Sequence, residues 1–313
     1  MSENKELIFK AVKEGLPKAK NTSIWLLKLI LPISLLVQLL QFSGLLNYVA
    51  IALNPVFQTV GLPGTTSIAF VCSVFLPLYA PVAIATSIGL TVRQMTILAI
   101  MCLISHNVFV ETAVQKRTGS PYFFILFLRI GMSFVAAFIW NLMLPENMGT
   151  TVRVAVDSGA GQTIWNVLMV WAQSSLSLSI KMIVIVTVLM VLQRILVEFN
   201  IMDAMARFFA PFMRFMGLSR DCSFLWLVAY IVGLTYGSAI MFEEVEAGKL
   251  SLKDTRTLNY HLAISHSFLE DTFIWVAVGA SLFWVTVPRL LLAITVVWII
   301  KLFSKFFSKF QKA

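Results

Sequence analysis

Between Leu29 and Val92 the chain has no Asp, Glu, Lys or Arg. A soluble protein would need surface charge over such a length, so this void excludes a water-facing fold. Charged residues make up only 12% of the whole chain, against about 25% in soluble domains. Hydrophobic residues reach 59%, with mean hydropathy +0.87. This balance means an integral membrane protein. Also missing are the phosphate-cradling GxxxxGK[ST] loop, GxSxG and HExxH, and no nucleophile is paired with the few histidines. These absences argue against ATP-driven work by this chain alone, against an enzyme and against a bound cofactor. The three cysteines, Cys72, Cys102 and Cys222, form no CxxC. Neither a disulfide frame nor a thiolate metal centre is indicated, and packing explains them. The first twenty residues are polar and lysine-rich, with no apolar core and cleavage site, so no cleaved signal peptide is expected.

What is present is apolar runs with polar residues at selected places. The net charge is +9, but the basic residues sit in short loops and at the ends of apolar runs. There they set topology and, at both termini, meet anionic lipid headgroups rather than nucleic acid. Residues 6–18 fit a surface helix and 24–42 a first span. The run 45–60 reads as a short interfacial or re-entrant helix interrupted at Asn54-Pro55. Residues 66–90 are broken at Pro77–Pro81. Residues 94–113 form a span carrying Ser105, His106, Asn107 and Glu111, and 121–144 another. Residues 146–162 are the expected linker, dividing a repeat over 1–145 from a second over 163–313.

The second half repeats the order. It has a surface helix at 164–178, a span at 181–197 and an interfacial helix at 202–216. A broken segment at 223–246 is centred on Gly233-Leu234-Thr235-Tyr236-Gly237-Ser238. A span at 257–277 carries His261, Ser265, His266, Glu270 and Asp271, and a last span covers 282–300. A basic tail ends the chain. Ser105-His106, Thr112 and Arg129 recur as Ser265-His266, Thr272 and Arg289 at an offset of 160, and Glu111 falls on Asp271. The common order argues for duplication.

Each broken run is too short to cross a bilayer, which takes about 20 apolar residues. If each is a hairpin entering and leaving on one side, each half has three full crossings and the second half is inverted. With the N-terminus inside, Lys116, Arg117, the arginines of 207–220 and the C-terminal lysines then all lie inside, as the positive-inside rule asks. The expected fold is therefore an all-α polytopic membrane protein. It has two inverted repeats, each with three spans, a re-entrant hairpin and an interfacial helix. Both termini would be cytoplasmic, in a bacterial inner membrane. A homodimer is compatible with the sequence and not demanded by it.

Ionisable residues inside spans cost roughly 2.5–3.5 kcal/mol each on insertion scales, so they mark function. His266 and Glu270, four apart on a helix, would share one face, and Asn107 and Glu111 repeat that spacing. An inverted pair of such helices can meet beside the two hairpin tips. This predicts proton or ion coupling through His106, Glu111, His266, Glu270 and Asp271. It predicts solute contacts from Tyr79, Asn107, Glu111, Thr235, Tyr236, Ser238, Ser265, His266 and Glu270. Three tasks fit: carrying protons, binding a divalent cation through N and O ligands, or hydrogen-bonding a small polar solute. Interrupted segments in matching positions of two halves favour a secondary transporter for a small-molecule substrate, with a divalent-cation permease as the alternative.

The duplicated half, the broken segments and the Ser-His spans after them together resemble the Gate, or nucleoside-recognition, family of bacterial membrane proteins. That family is similar to units in concentrative nucleoside transporters, ferrous-iron transporters and spore-maturation membrane proteins. The resemblance implies a two-Gate protein whose hairpins form a solute path. The spore-maturation relatives imply a further alternative, a non-transporting assembly factor. The chain lacks the GTPase domain of the iron transporters, and its cysteines are away from the broken tips, which speaks against iron.

Overall fold

A computed structural model describes residues 3–149, 163–247 and 250–310, and within these the regular structure is entirely helical. The chain starts with helix α1, Glu3–Phe42, 40 residues and so about 60 Å long. The surface helix and first span expected at 6–18 and 24–42 are thus one rod. Its counterpart α8, Ile164–Glu198, likewise joins the segments expected at 164–178 and 181–197. The reason is their mutual packing. Ala11 and Ala19 are buried, and a Cβ on Gly15 would lie 3.2 Å from the Val191 backbone. Small residues thus let the two rods meet along their polar halves as well as their apolar ones.

The pair is antiparallel. Lys10 Nζ donates to Glu198 Oε2 at 2.9 Å, while Trp171 Nε1 donates to Ser34 Oγ at 3.1 Å. Arg194 also pairs with Glu14 and, at 2.7 Å, with Glu198. Equivalent helices running in opposite directions are what an inverted repeat requires. Cysteines placed at Lys10 and Glu198, in a chain otherwise free of cysteine, should therefore be joined by a short thiol crosslinker. Cysteines at Lys10 and Trp171, the latter toward the other end of α8 from Glu198, should not. Crosslinking of the second pair alone would contradict the antiparallel arrangement.

The remaining helices follow in the same order in both halves. Helices α2, Leu45–Thr59, and α9, Ile201–Met213, are the short lateral pieces. Helix α2 runs through Pro55, where the sequence suggests a break. Asn54 Oδ1 accepts the Gly64 N–H at 3.0 Å and so ties the following turn back onto the helix. A Cβ on Gly64 would stand 2.2 Å from the Ala50 carbonyl, so glycine is needed for this approach.

Helices α3, Thr66–Phe75, and α4, Tyr79–Ile88, pack on each other as a hairpin. Each limb is about 15 Å long, half the hydrocarbon core. Helices α10, Ser223–Ile231, and α11, Leu234–Glu246, form the second hairpin. Here the break is confined to Val232 and Gly233, with Gly233 at φ 108. Leu234 to Ser238, expected in the interruption, are already helical.

The polar segments are not continuous spans. Helix α5, Val92–Ser105, gives way to α6, Val108–Arg117, at His106-Asn107. Helix α12, Leu252–Ile264, stops before α13, Glu270–Ala277. Helices α7, Tyr122–Met143, and α14, Leu282–Phe310, close each half. Among the described residues, four stretches are long and apolar enough to cross a bilayer: Val92–Arg117, Tyr122–Met143, Ile164–Glu198 and Leu282–Phe306. Met95 to Ser105 is buried without exception, which places α5 at the centre. By contrast α7 turns Phe123, Phe127 and Leu142 outward. An evenly apolar helix belongs inside, and a long apolar outer face belongs against lipid.

Candidate functional site

Both polar segments break because a residue adopts a left-handed backbone at the same repeat position. Asn107 has φ 46 and Ser267 φ 45. Neither is glycine, so the conformation carries strain that its surroundings must hold. They do so through hydrogen bonds. The Asn107 N–H donates to Ser73 O at 2.7 Å and to Leu76 O at 3.1 Å, the open end of α3. In the other half the Ser267 N–H donates to Ala229 O at 2.9 Å, and Phe268 N–H to Tyr230 O at 2.7 Å. Each break therefore satisfies the orphan carbonyls of the first hairpin limb.

The breaks leave carbonyls of their own, and a buried arginine takes them in each half. Arg129 on α7 donates from Nε to Ile104 O at 2.7 Å and from Nη2 to His106 O at 2.9 Å. Arg289 on α14 donates from Nη2 to His266 O at 3.2 Å. Neither arginine is exposed to solvent. These two were matched in the sequence repeat but not placed in the site. The signal was there: a guanidinium amid an apolar span is costly unless it has an inward task.

This backbone brings both histidines to the centre. The rings of His106 and His266 lie 5.1 Å apart. Each Nδ1 faces a carbonyl of its own helix, Cys102 O at 3.0 Å and Leu262 O at 2.7 Å. A carbonyl only accepts, so both Nδ1 atoms are donors and both Nε2 atoms face inward. His106 Nε2 is 3.2 Å from Glu111 Oε1 and 3.5 Å from Asp271 Oδ2. His266 Nε2 is 3.2 Å from Glu111 Oε2, which also meets Arg129 Nη1 at 2.7 Å. Tyr79, opening α4 of the first hairpin, donates its hydroxyl to Glu270 at the start of α13. The first hairpin thus touches the break of the other half.

The expected set is therefore largely assembled, but by a different route. His266 lies in the link and Glu270 begins α13, so the pair does not share one helix face as the spacing suggested. Asn107 is the N-cap of α6 and acts through its backbone, while Glu111 stands one turn on. Ser265 Oγ is buried and has no hydrogen-bond partner among the described residues. The side chains of Thr235, Tyr236 and Ser238 lie outside the described residues, although their backbone is helical. His261 belongs elsewhere. Its Nε2 meets Trp226 Nε1 at 3.1 Å and the Tyr230 hydroxyl at 2.9 Å, in the packing between α10 and α12.

Known proteins supply the context for this arrangement. The Gate model, described as nucleoside recognition, matches residues 23–121 and 179–269. The uncharacterized membrane protein YvoD of Bacillus subtilis (strain 168) is 28% identical over 284 residues, covering 90% of this chain and 89% of YvoD. Among solved structures, a doubly substituted CNTnw in an outward-facing state superposes with TM-score 0.58 at 14% identity. The match covers 93% of this chain and 80% of that one. At that identity the likeness concerns the fold.

Proposed function

Since the chain belongs to the Gate family of nucleoside-recognition proteins, we propose that it is a secondary transporter. Its cargo is a small polar solute of the nucleoside kind or a comparable metabolite, moved by coupling to a proton or sodium gradient. The setting is a bacterial inner membrane with both termini in the cytoplasm. The observation that carries this reading is the meeting of the two breaks. His106, Glu111, His266 and Asp271 come together from opposite halves, and Tyr79 reaches Glu270 across the same junction. Buried ionisable groups at a repeat interface, framed by half-length helices, are the chemistry expected of a midplane binding site. The fold likeness to CNTnw supports the same view.

The parts have distinct tasks. Carboxylates and imidazoles supply charge-assisted hydrogen bonds to a polar solute, or hold the coupling ion. The starts of α4, α6, α11 and α13 offer backbone donors to it. Arg129 and Arg289 hold the broken backbone open. The hairpins separate the site from either side, and their movement exposes it to one side at a time.

Purified protein in proteoliposomes, offered labelled nucleosides and other polar metabolites under a pH or sodium gradient, should accumulate at least one of them. The double variant Glu270→Gln, His266→Gln should fold and lose gradient-driven uptake. No accumulation of any solute under either gradient would count against transport. Unchanged uptake in the double variant would remove the site.

A further inference from the structure

We propose that His106, His266 and Asp271, with a water as the fourth ligand and Glu111 alongside, form a binding site for one first-row divalent cation of zinc-like, borderline character. The proposal is independent of what the protein carries, because it concerns binding alone.

The first argument is the direction of the lone pairs. Both Nδ1 atoms donate to backbone carbonyls, at 3.0 Å for His106 and 2.7 Å for His266. In the neutral rings the two Nε2 atoms are then acceptors. Yet they point at carboxylate oxygens, which are acceptors too, at 3.2, 3.2 and 3.5 Å. Acceptors facing acceptors in a buried place repel unless something positive lies between them. Arg129 answers only one edge, at Glu111 Oε2. His266 Nε2 and Asp271 Oδ2 have no hydrogen-bond partner among the described residues. His106, His266 and Asp271 are 5%, 1% and 8% exposed.

The second argument is size. A cation with ligands at about 2.1 Å in tetrahedral array has ligand-to-ligand edges of about 3.4 Å. The contact between His106 Nε2 and Asp271 Oδ2, 3.5 Å, matches such an edge. The donor atoms of His106, His266 and Asp271 all fall within 4.8 Å of one another. The third argument is the outer shell. Histidines that hold metals usually donate their other N–H to a carbonyl or carboxylate, which fixes the ring. Both histidines here do so, and each by the carbonyl four residues back. Two imidazoles with a carboxylate suit zinc, cobalt or nickel better than magnesium or calcium.

The test uses tag-free, full-length protein in detergent, stripped with a chelator and titrated with Co2+. One Co2+ should bind per chain, with the visible absorption of a four-coordinate site, and X-ray absorption should count two imidazole ligands. Zn2+ should displace it. Affinity should fall by more than about a hundredfold in His266→Gln and in Asp271→Asn, since loss of outer-shell partners alone typically costs 10–100-fold. Absence of Co2+ binding by the native chain overturns the proposal, and so does binding that survives both substitutions. If either variant fails to fold, the imidazole count of the native protein decides. Two imidazoles support the site, and none or one overturns it. Failure here leaves the transport reading standing, because uptake is measured separately in proteoliposomes.

Discussion

Arg129→Met should lower thermal stability in detergent by roughly 5–10 °C, the shift expected when one partner of a buried ion pair is removed at a cost of about 3–5 kcal/mol. Three groups lose their partner at once: Ile104 O, His106 O and Glu111 Oε2. The first two are the carbonyls left open where α5 ends. The third is then a buried carboxylate without its cation. Methionine fills the space and offers no donor. Arg289→Met should cost less, because among the described residues that guanidinium makes one hydrogen bond, from Nη2 to His266 O at a longer 3.2 Å. Its charge also lies 5.2 Å over the Phe268 ring, a contact of at most about 2 kcal/mol. Arg129→Lys keeps the charge but lacks the planar fork that reaches two carbonyls and a carboxylate, so it should fall between native and Arg129→Met. The measurement is the fraction of monodisperse protein left after heating at a series of temperatures. A profile for Arg129→Met that overlays the native one would show that the breaks hold themselves open without it.

Much of this was readable in the sequence, for reasons that differ by element. The void of charge from Leu29 to Val92 and the proline- and glycine-marked segments report on solvent and chain geometry directly, so the membrane class and both hairpins follow from them. The offset of 160 that pairs His106 with His266 and Glu111 with Asp271 brought the central cluster within reach. The fusion of 6–18 with 24–42 into one rod was hidden, because it depends on contact with α8 rather than on local polarity. The breaks at Asn107 and Ser267 were hidden for a related reason. Neither residue is glycine or proline, and the left-handed backbone is held by carbonyls of the hairpin more than thirty residues earlier. A reading by helical spacing therefore put His266 and Glu270 on one face, reaching the right residues through the wrong geometry. Tyr79 meeting Glu270 across 191 residues is a tertiary event that no spacing reports.

The second large effect concerns Glu111, whose carboxylate meets both histidines. Glu111→Gln should leave the protein folded and bring gradient-driven uptake to about a hundredth of the native rate or less. The substitution keeps the shape and most of the hydrogen bonding. The amide oxygen can still accept from Arg129, and the amide nitrogen can donate to an imidazole Nε2 that now faces an oxygen. What disappears is the negative charge 3.2 Å from both His106 and His266. A charge-assisted hydrogen bond from the solute or ion to a carboxylate is worth about 1.5–3 kcal/mol, and about 1.4 kcal/mol is a decade in rate, so losing both oxygens as charged acceptors gives at least two decades. Because glutamine can satisfy its neighbours, the thermal profile should stay close to native, which separates this variant from Arg129→Met. The paired measurement is initial uptake in proteoliposomes beside thermal stability of the same preparation. Native uptake with native stability would mean that the charge at the junction of the two breaks is structural ballast. Lost uptake with a native thermal profile is what a site reading the charge of its solute or ion demands.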